Sequence, residues 1–404
     1  MKRVFLVTGF FFLFLIEIGK VYLIMPFPGS QKQNTIDLAY WLDQNIWWLR
    51  MMCIALLAYP VISVFGNSKT WKKLLTGTVV VLYCVVFYYT NFRFLADKMF
   101  LQPGTKELYS GDRNTVDSNK LVIAVTLNGE ARAYPIEIIG YHHQVVDTVG
   151  QVPVMITYCT VCRTGRVYSP AVEGKQEKFR LVGMDHFNAM FEDATTKSWW
   201  RQVTGTAIAG PLKGKSLKEI PSRQLTLAAW QREYPQSLVL QPDTMFNKRY
   251  ADLEGFDKGT VESGLEKRDS ASWKLKSWVV GVVAGNTSKA YDWNELVASK
   301  MIQDSMPDSP LILLLGSDTA SFYVFDRRMD GVPLNFQQDS IPEFFRDTNT
   351  NSAWNISGFC VDGMFSGRQL HTIQAYQEFW HSWKTFHPQT LQYRRASSQP
   401  IGKR

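Results

Sequence analysis

The stretch VIAVTLNGEARAYPIEIIGYHH, Val122 to His143, decides the fold. Ile123, Val125 and Leu127 alternate with smaller or polar residues, the period of a half-buried strand. Asn128-Gly129 is a dipeptide favoured in two-residue hairpins, because both residues tolerate positive φ. Ala131 to Tyr134 reads as the returning strand, and Pro135 opens a short helical piece through Tyr141. Further on, Val145 to Val149, Val152 to Tyr158 and Arg166 to Tyr168 read as strands. Leu225 to Glu233 reads as a helix, with Leu227 and Trp230 three apart and Pro235 as its stop. Short strands with a few helices predict an α+β, antiparallel β-rich fold.

The same pattern returns later in the chain. VVGVVAGNTSKAYDWNELVASK, Val279 to Lys300, lies on the first stretch without a gap and brings Val122 onto Val279 and Tyr134 onto Tyr291. Farther along, Asp147 meets Asp304 and Pro153 meets Pro310. After one dropped residue Trp200 meets Trp354, and Trp230 to Pro235 meets Trp383 to Pro388. Self-similarity of this length predicts two internal repeats, 119–240 and 278–393, related by a pseudo-twofold axis. The charged stretch 241–277 reads as a surface linker, and 394–404 as a basic tail.

Residues 1–93 differ in kind. Apolar runs at about 4–26, 46–65 and 71–90 are each long enough to cross a bilayer as a helix, and Trp71, Tyr88 and Tyr89 sit where aromatic side chains favour the membrane edge. No small-x-small cleavage site follows the first run, so an uncleaved anchor is expected. Lys2 and Arg3 precede the first span, and Lys69, Lys72 and Lys73 lie between the second and third. Placing both basic ends inside makes the chain a multi-pass inner-membrane protein with its C-terminal body extracytoplasmic, in a bacterium periplasmic. Glu17, Lys20 and Arg50 then line a polar path or pair between helices. The lipid bilayer is the one partner the sequence names. The net charge of +8 comes with no Lys/Arg stripe interleaved with aromatics, so nucleic-acid binding is not expected.

Chemistry concentrates at TYCTVCRTG, Thr157 to Gly165, which holds two of the five cysteines. Cys159 and Cys162 follow a strand and precede another, so no helix N-terminus is at hand to activate a thiol. Three readings stay open: an inert or disulfide-bonded pair, a thiol redox couple aided by Arg163 and Arg166, or a soft transition-metal site for Zn or Cu. A metal would take further ligands from His142, His143, His186 or distant Cys360, with Asp147 orienting an imidazole. Since Cys159, Cys162, His142 and His143 fall opposite Gly316, Thr319, Ser299 and Lys300, the second repeat reads as a structural partner. Asp147 recurs as Asp304, which favours a turn-capping role. Trp199, Trp200 and Trp354 read as core. Neither a G-x-S-x-G elbow nor a phosphate-cradling glycine loop occurs.

The run ARAYPIEIIGYHHQVVDTVGQVPVMITYCTVCRTG, with KSWWRQVTGTAIAGPLKGKSL and AWQREYP after it, resembles the bacterial domain of unknown function family 3179 from about Asn119 to Tyr393. The resemblance implies that His142, Asp147, Cys159 and Cys162 occupy recurrent site positions. It also implies two departures: Arg163 stands where glycine commonly follows the second cysteine, and DHFN stands where an Asn-Ser-Asp-like element is usual. Three functions are compatible with the sequence. They are a metal- or thiol-dependent module at the C-x-x-C, a partner-docking scaffold with a structural cysteine pair, and a hydrolase or transferase using His142 and Asp147.

Overall fold

The computed structural model describes residues 2–307 and 309–395, so the basic tail from 396 on lies outside the described residues. The chain forms two compact units: residues 1–102 with 170–218, and residues 103–169 with everything from 219. Residues 170–218, within the first expected repeat, therefore belong with the N-terminal helices.

In the first unit, helices α1 (Lys2–Ile24), α2 (Ile36–Asn67) and α3 (Thr70–Tyr88, continued as a π-helical turn to Arg93) are long and apolar enough to cross a membrane. α1 and α2 pack closely where Gly9 leaves room for Leu57, whose side chain a Cβ would meet at 2.6 Å. Of the two readings of the charged residues here, the structure shows pairing. Glu17 is fully buried and accepts from Arg50 Nε at 2.7 Å and Nη2 at 2.8 Å, with Asn91 and Tyr83 completing the cluster. Helix α2 starts ten residues before the expected span because Ala39 and Leu42 are buried and Tyr40 stands edge-on to Trp199. Trp199 belongs to a four-stranded antiparallel sheet over 179–209. Its two tryptophans are core, as expected: Trp199 donates to Glu192 and Trp200 to Asp193.

The second unit contains the hairpin β1 (Leu121–Leu127) and β2 (Glu130–Pro135), in register Ile123↔Tyr134. Asn128 and Gly129 both have positive φ, 48° and 81°, as a type I′ turn requires. Helix α4 (Ile136–His142) follows Pro135 and stops at His143, whose φ of 61° turns the chain into β3 (Gln144–Val149). β3 pairs with β4 (Val152–Cys159), and β4 with β5 (Thr164–Tyr168), all antiparallel. β6 (Arg223–Thr226), helix α5 (Leu227–Glu233) and β7 (Leu238–Leu240) return to the first hairpin, β6 beside β1 and β7 parallel to β2. Trp230 of α5 packs beneath this sheet with Val122, Ala124 and Leu225.

The order recurs from Trp278. β8 (Trp278–Ala284) and β9 (Thr287–Asp292) form a hairpin, and helix α6 (Trp293–Ser299) ends at Lys300 with φ 62°. β10 (Met301–Met306), β11 (Ser309–Leu315) and β12 (Phe322–Asp326) form an antiparallel sheet. β13 (Ala375–Phe379), helix α7 (Trp380–Phe386) and β14 (Leu391–Gln392) close onto β8 and β9. Gly281 on β8 is required by close approach, because any Cβ there would run into the Trp383 ring of α7.

Segment 241–277 corrects the expectation of a surface linker. Three of its aromatic residues, Phe246, Tyr250 and Phe256, are buried while the charged residues between them stay near solvent. A stretch poor in apolar residues is still tied down when a few of them reach the interior.

Candidate functional site

Strand β4 carries Cys159 to its end, Thr160 to Arg163 make a tight turn, and β5 leads away, so the pair sits in a strand–turn–strand setting. The turn is drawn close to β1: a Cβ on Gly165 would lie 2.6 Å from Ile123. Both thiols are fully buried, and Cys162 is hydrogen-bonded to Cys159 and to Ser382 of α7. Burial, followed by the neighbouring Cys159, holds the Cys162 thiol well above its ordinary value, with Ser382 and Lys276 pulling the other way.

The carbonyl between the cysteines is gripped from the second half of the chain. Lys276 Nζ donates to Val161 O at 2.6 Å, and His381 Nε2 donates to the same oxygen at 3.2 Å. Phe379 N donates to Cys162 O at 3.0 Å. Lys276 forms no ion pair with a carboxylate among the described residues; its ammonium lies over the Phe379 ring, and burial lowers its pKa, with Cys162, Cys159 and Glu266 pulling the other way. Burial lowers the His381 imidazole to about 4, helped by the Lys276 charge, so it is neutral at pH 7.

His381 and Ser382 come from the stretch expected to be only a structural partner, beside groups that the sequence concentrates in residues 119–240. His381 and Ser382 fall opposite Ala228 and Ala229 in the repeat alignment. The single-copy criterion that singled out the cysteines also singles out this pair when applied in the other direction. Lys276 carries no such signal, lying just outside the repeated stretch.

The other sequence candidates are placed elsewhere. His142 is buried among Tyr141, Phe246 and Tyr250, and its Nε2 bonds to the Tyr250 hydroxyl at 2.7 Å. His143 Nδ1 bonds to Tyr141 O at 3.1 Å, and burial lowers its imidazole to about 4. Asp147 accepts from Tyr134 at 2.7 Å, Arg132 at 2.6 Å and its neighbour's Thr148 N at 2.8 Å, and bonds no imidazole. Asp304 repeats this with Tyr291 and Lys289, so the carboxylate ties a hairpin to the next strand. His186 belongs to the other compact unit, where its Nδ1 meets Asp185 at 2.6 Å and Asp185 in turn pairs with Arg201. Cys360 packs in the core with Phe345 and Trp354. Among the described residues, no group of three or more His, Cys, Asp or Glu is placed to hold one ion.

Arg163 and Arg166, expected beside the thiols, have hydrogen-bond and ion-pair partners in other segments. Arg166 is buried against Glu378, its guanidinium 3.5 Å from the Tyr376 ring. Arg163 reaches Gln377 Oε1 at 2.8 Å and Phe256 O at 3.0 Å. Its φ of 56° lies in the left-handed region that glycine enters without strain.

Asp257 stands near Arg163. One carboxylate oxygen accepts from Leu121 N at 2.8 Å, the other is buried without a partner, and burial raises the group from 3.8 to about 6. Between pH 4 and 6 the folded chain keeps a proton that the unfolded chain has shed, so stability falls through that window and stays lower above it. Asp257→Asn is therefore expected to raise unfolding free energy by on the order of 2 kcal/mol at pH 7.5, with the gain vanishing below about pH 4. Denaturant titrations at the two pH values check this.

Residues 104–390 match the family described as Protein of unknown function (DUF3179). Neither the comparison with curated proteins nor that with solved structures gives a match.

Proposed function

This chain belongs to the DUF3179 family, and from that premise we propose that it is a membrane-anchored protein binding one soft monovalent metal ion, Cu(I) in class, between Cys159 and Cys162. Its three helices cross the bacterial inner membrane, with Lys2, Arg3, Lys69, Lys72 and Lys73 on the cytoplasmic side. The body beyond them, two α+β repeats related by a pseudo-twofold axis, stands in the periplasm.

The observation that carries the reading is Lys276. A half-buried ammonium held against the cysteine turn without a carboxylate partner is favoured when an anion forms beside it. Two neutral thiols supply none, and neither does a disulfide. Two thiolates around a monovalent ion leave one net negative charge, which Lys276 neutralises. A structural zinc site needs about four donors, whereas soft thiolates suit Cu(I) in lower number. The metal deprotonates the sulfurs outright, so the raised Cys162 thiol makes loading pH-dependent without forbidding it.

The sulfur–sulfur hydrogen bond favours a second reading, a reversible dithiol. Oxidation would join the two sulfurs, release two protons and pass two electrons to a disulfide of a partner protein. That product strands the Lys276 charge, which is why the metal is preferred.

Full-length protein in detergent, kept anaerobic, is loaded with Cu(I) against a chromophoric chelator while accessible thiols are titrated. One equivalent is expected per chain, and Lys276→Met is expected to weaken retention by about tenfold or more while the thiol count stays the same. Failure to retain copper, or a Lys276→Met variant as tight as the parent, overturns the assignment.

A further inference from the structure

A separate cavity of about 1110 Å³ opens beside the cysteine turn, lined among others by Arg163, Asp257, Arg268 and Trp278. We infer that it is a binding site for a small oxyanion, a molecule bearing a carboxylate or a phosphate, held by Arg163 and Arg268. The inference does not depend on the metal.

Two guanidinium groups on the walls of this space lack an ion pair with a carboxylate among the described residues. Arg163 and Arg268 lie 3.8 and 3.9 Å from the Trp278 ring. Arg163 is fully buried, and its bonds go to neutral oxygens of Gln377, Phe256 and Asp257. Arg268 donates to the Asn294 side-chain oxygen at 3.0 Å. Neither forms an ion pair with a carboxylate among the described residues, while buried arginines elsewhere in the chain do: Arg50 with Glu17, and Arg166 with Glu378. Like charges gathered in a partly dry space repel one another unless an anion joins them.

Unused donors point the same way. Among the described residues, Arg268 Nε and Trp278 Nε1 are buried without a hydrogen-bond partner. Buried polar groups are rarely left so, and several on the walls of one cavity mark a missing ligand. The fork of an arginine matches a carboxylate or phosphate in two parallel bonds. The left-handed backbone at Arg163 is strained where glycine would not be, so the position carries its side chain despite strain.

Of the acids on the same walls, only Asp257 stands close to Arg163, where it offsets part of one of the two positive charges once ionised. Asp318 is committed to Ser321 and Thr226, and Asp117 and Glu254 stand at the solvent-exposed edge. A protonated Asp257 would add a donor.

The test is calorimetric titration of the full-length protein in detergent with inorganic phosphate and with malonate, at constant ionic strength. Saturable binding of at least one is expected, and the tighter probe distinguishes a phosphate from a carboxylate ligand. Arg268→Gln should weaken that binding by about tenfold or more. It should leave the unliganded melting temperature unchanged or higher, because it removes a repelled charge. Cys159→Ser should still bind the anion, which separates this site from the metal site. No binding of either probe up to about 10 mM, or an Arg268→Gln variant that binds as the parent does, overturns the assignment.

Discussion

Cys159→Ser is expected to lower Cu(I) affinity by roughly a thousandfold or more. A serine hydroxyl is a hard donor that stays protonated in a dry site, and the remaining sulfur cannot hold the ion alone. The fold should survive the change. Cys159 ends a strand whose register with β5 rests on backbone bonds, and the substitution adds one buried hydroxyl, costing about 1–3 kcal/mol. Cys360→Ser is the matched control. It sits in the core beside Trp354 and should lose similar stability while copper retention stays unchanged. Equal loss of copper in both variants would mean that the effect comes through the fold.

Glu378→Ala should be the most destabilising single charge change in the second unit. Arg166 and Glu378 are an ion pair with side chains 2% and 0% exposed, joining β5 to β13. Removing the carboxylate leaves a buried guanidinium, which typically costs 3–5 kcal/mol. Glu219, 3.8 Å from Arg166 and partly exposed, recovers a little, so about 3 kcal/mol is expected in urea unfolding followed by tryptophan fluorescence. The pair Arg166→Met with Glu378→Met should regain most of that loss, because both charges go together. Phe379, next in sequence, holds Cys162 O, so copper retention should fall in the single variant and recover in the double one.

Much of the architecture was legible because it is local. Asn128-Gly129 fixed a hairpin and Pro135 opened a helix, each through backbone preference alone. The three helices long and apolar enough to cross a membrane were legible in the sequence, although α2 begins at Ile36, where Tyr40 packs on a distant tryptophan. The site was half legible. Cys159 and Cys162 announce themselves by spacing, but His142, His143 and Asp147 are engaged with Tyr250, Tyr141 and Tyr134. The groups that grip the cysteine turn come from residues more than a hundred positions away, Lys276 and His381, and no local pattern marks such a meeting. The charged run 241–277 misled for a related reason. Its few aromatic residues are widely spaced, yet Phe256 is one of the groups that anchor Arg163.

X-ray absorption at the copper edge, on the full-length chain loaded with one equivalent of Cu(I), tests the account most directly. The spectrum should show two sulfur neighbours and no nitrogen, and Lys276→Met should leave that shell intact while the ion is held more weakly. A shell containing imidazole nitrogen, or three or more sulfurs, would contradict a centre built from Cys159, Cys162 and the Lys276 charge.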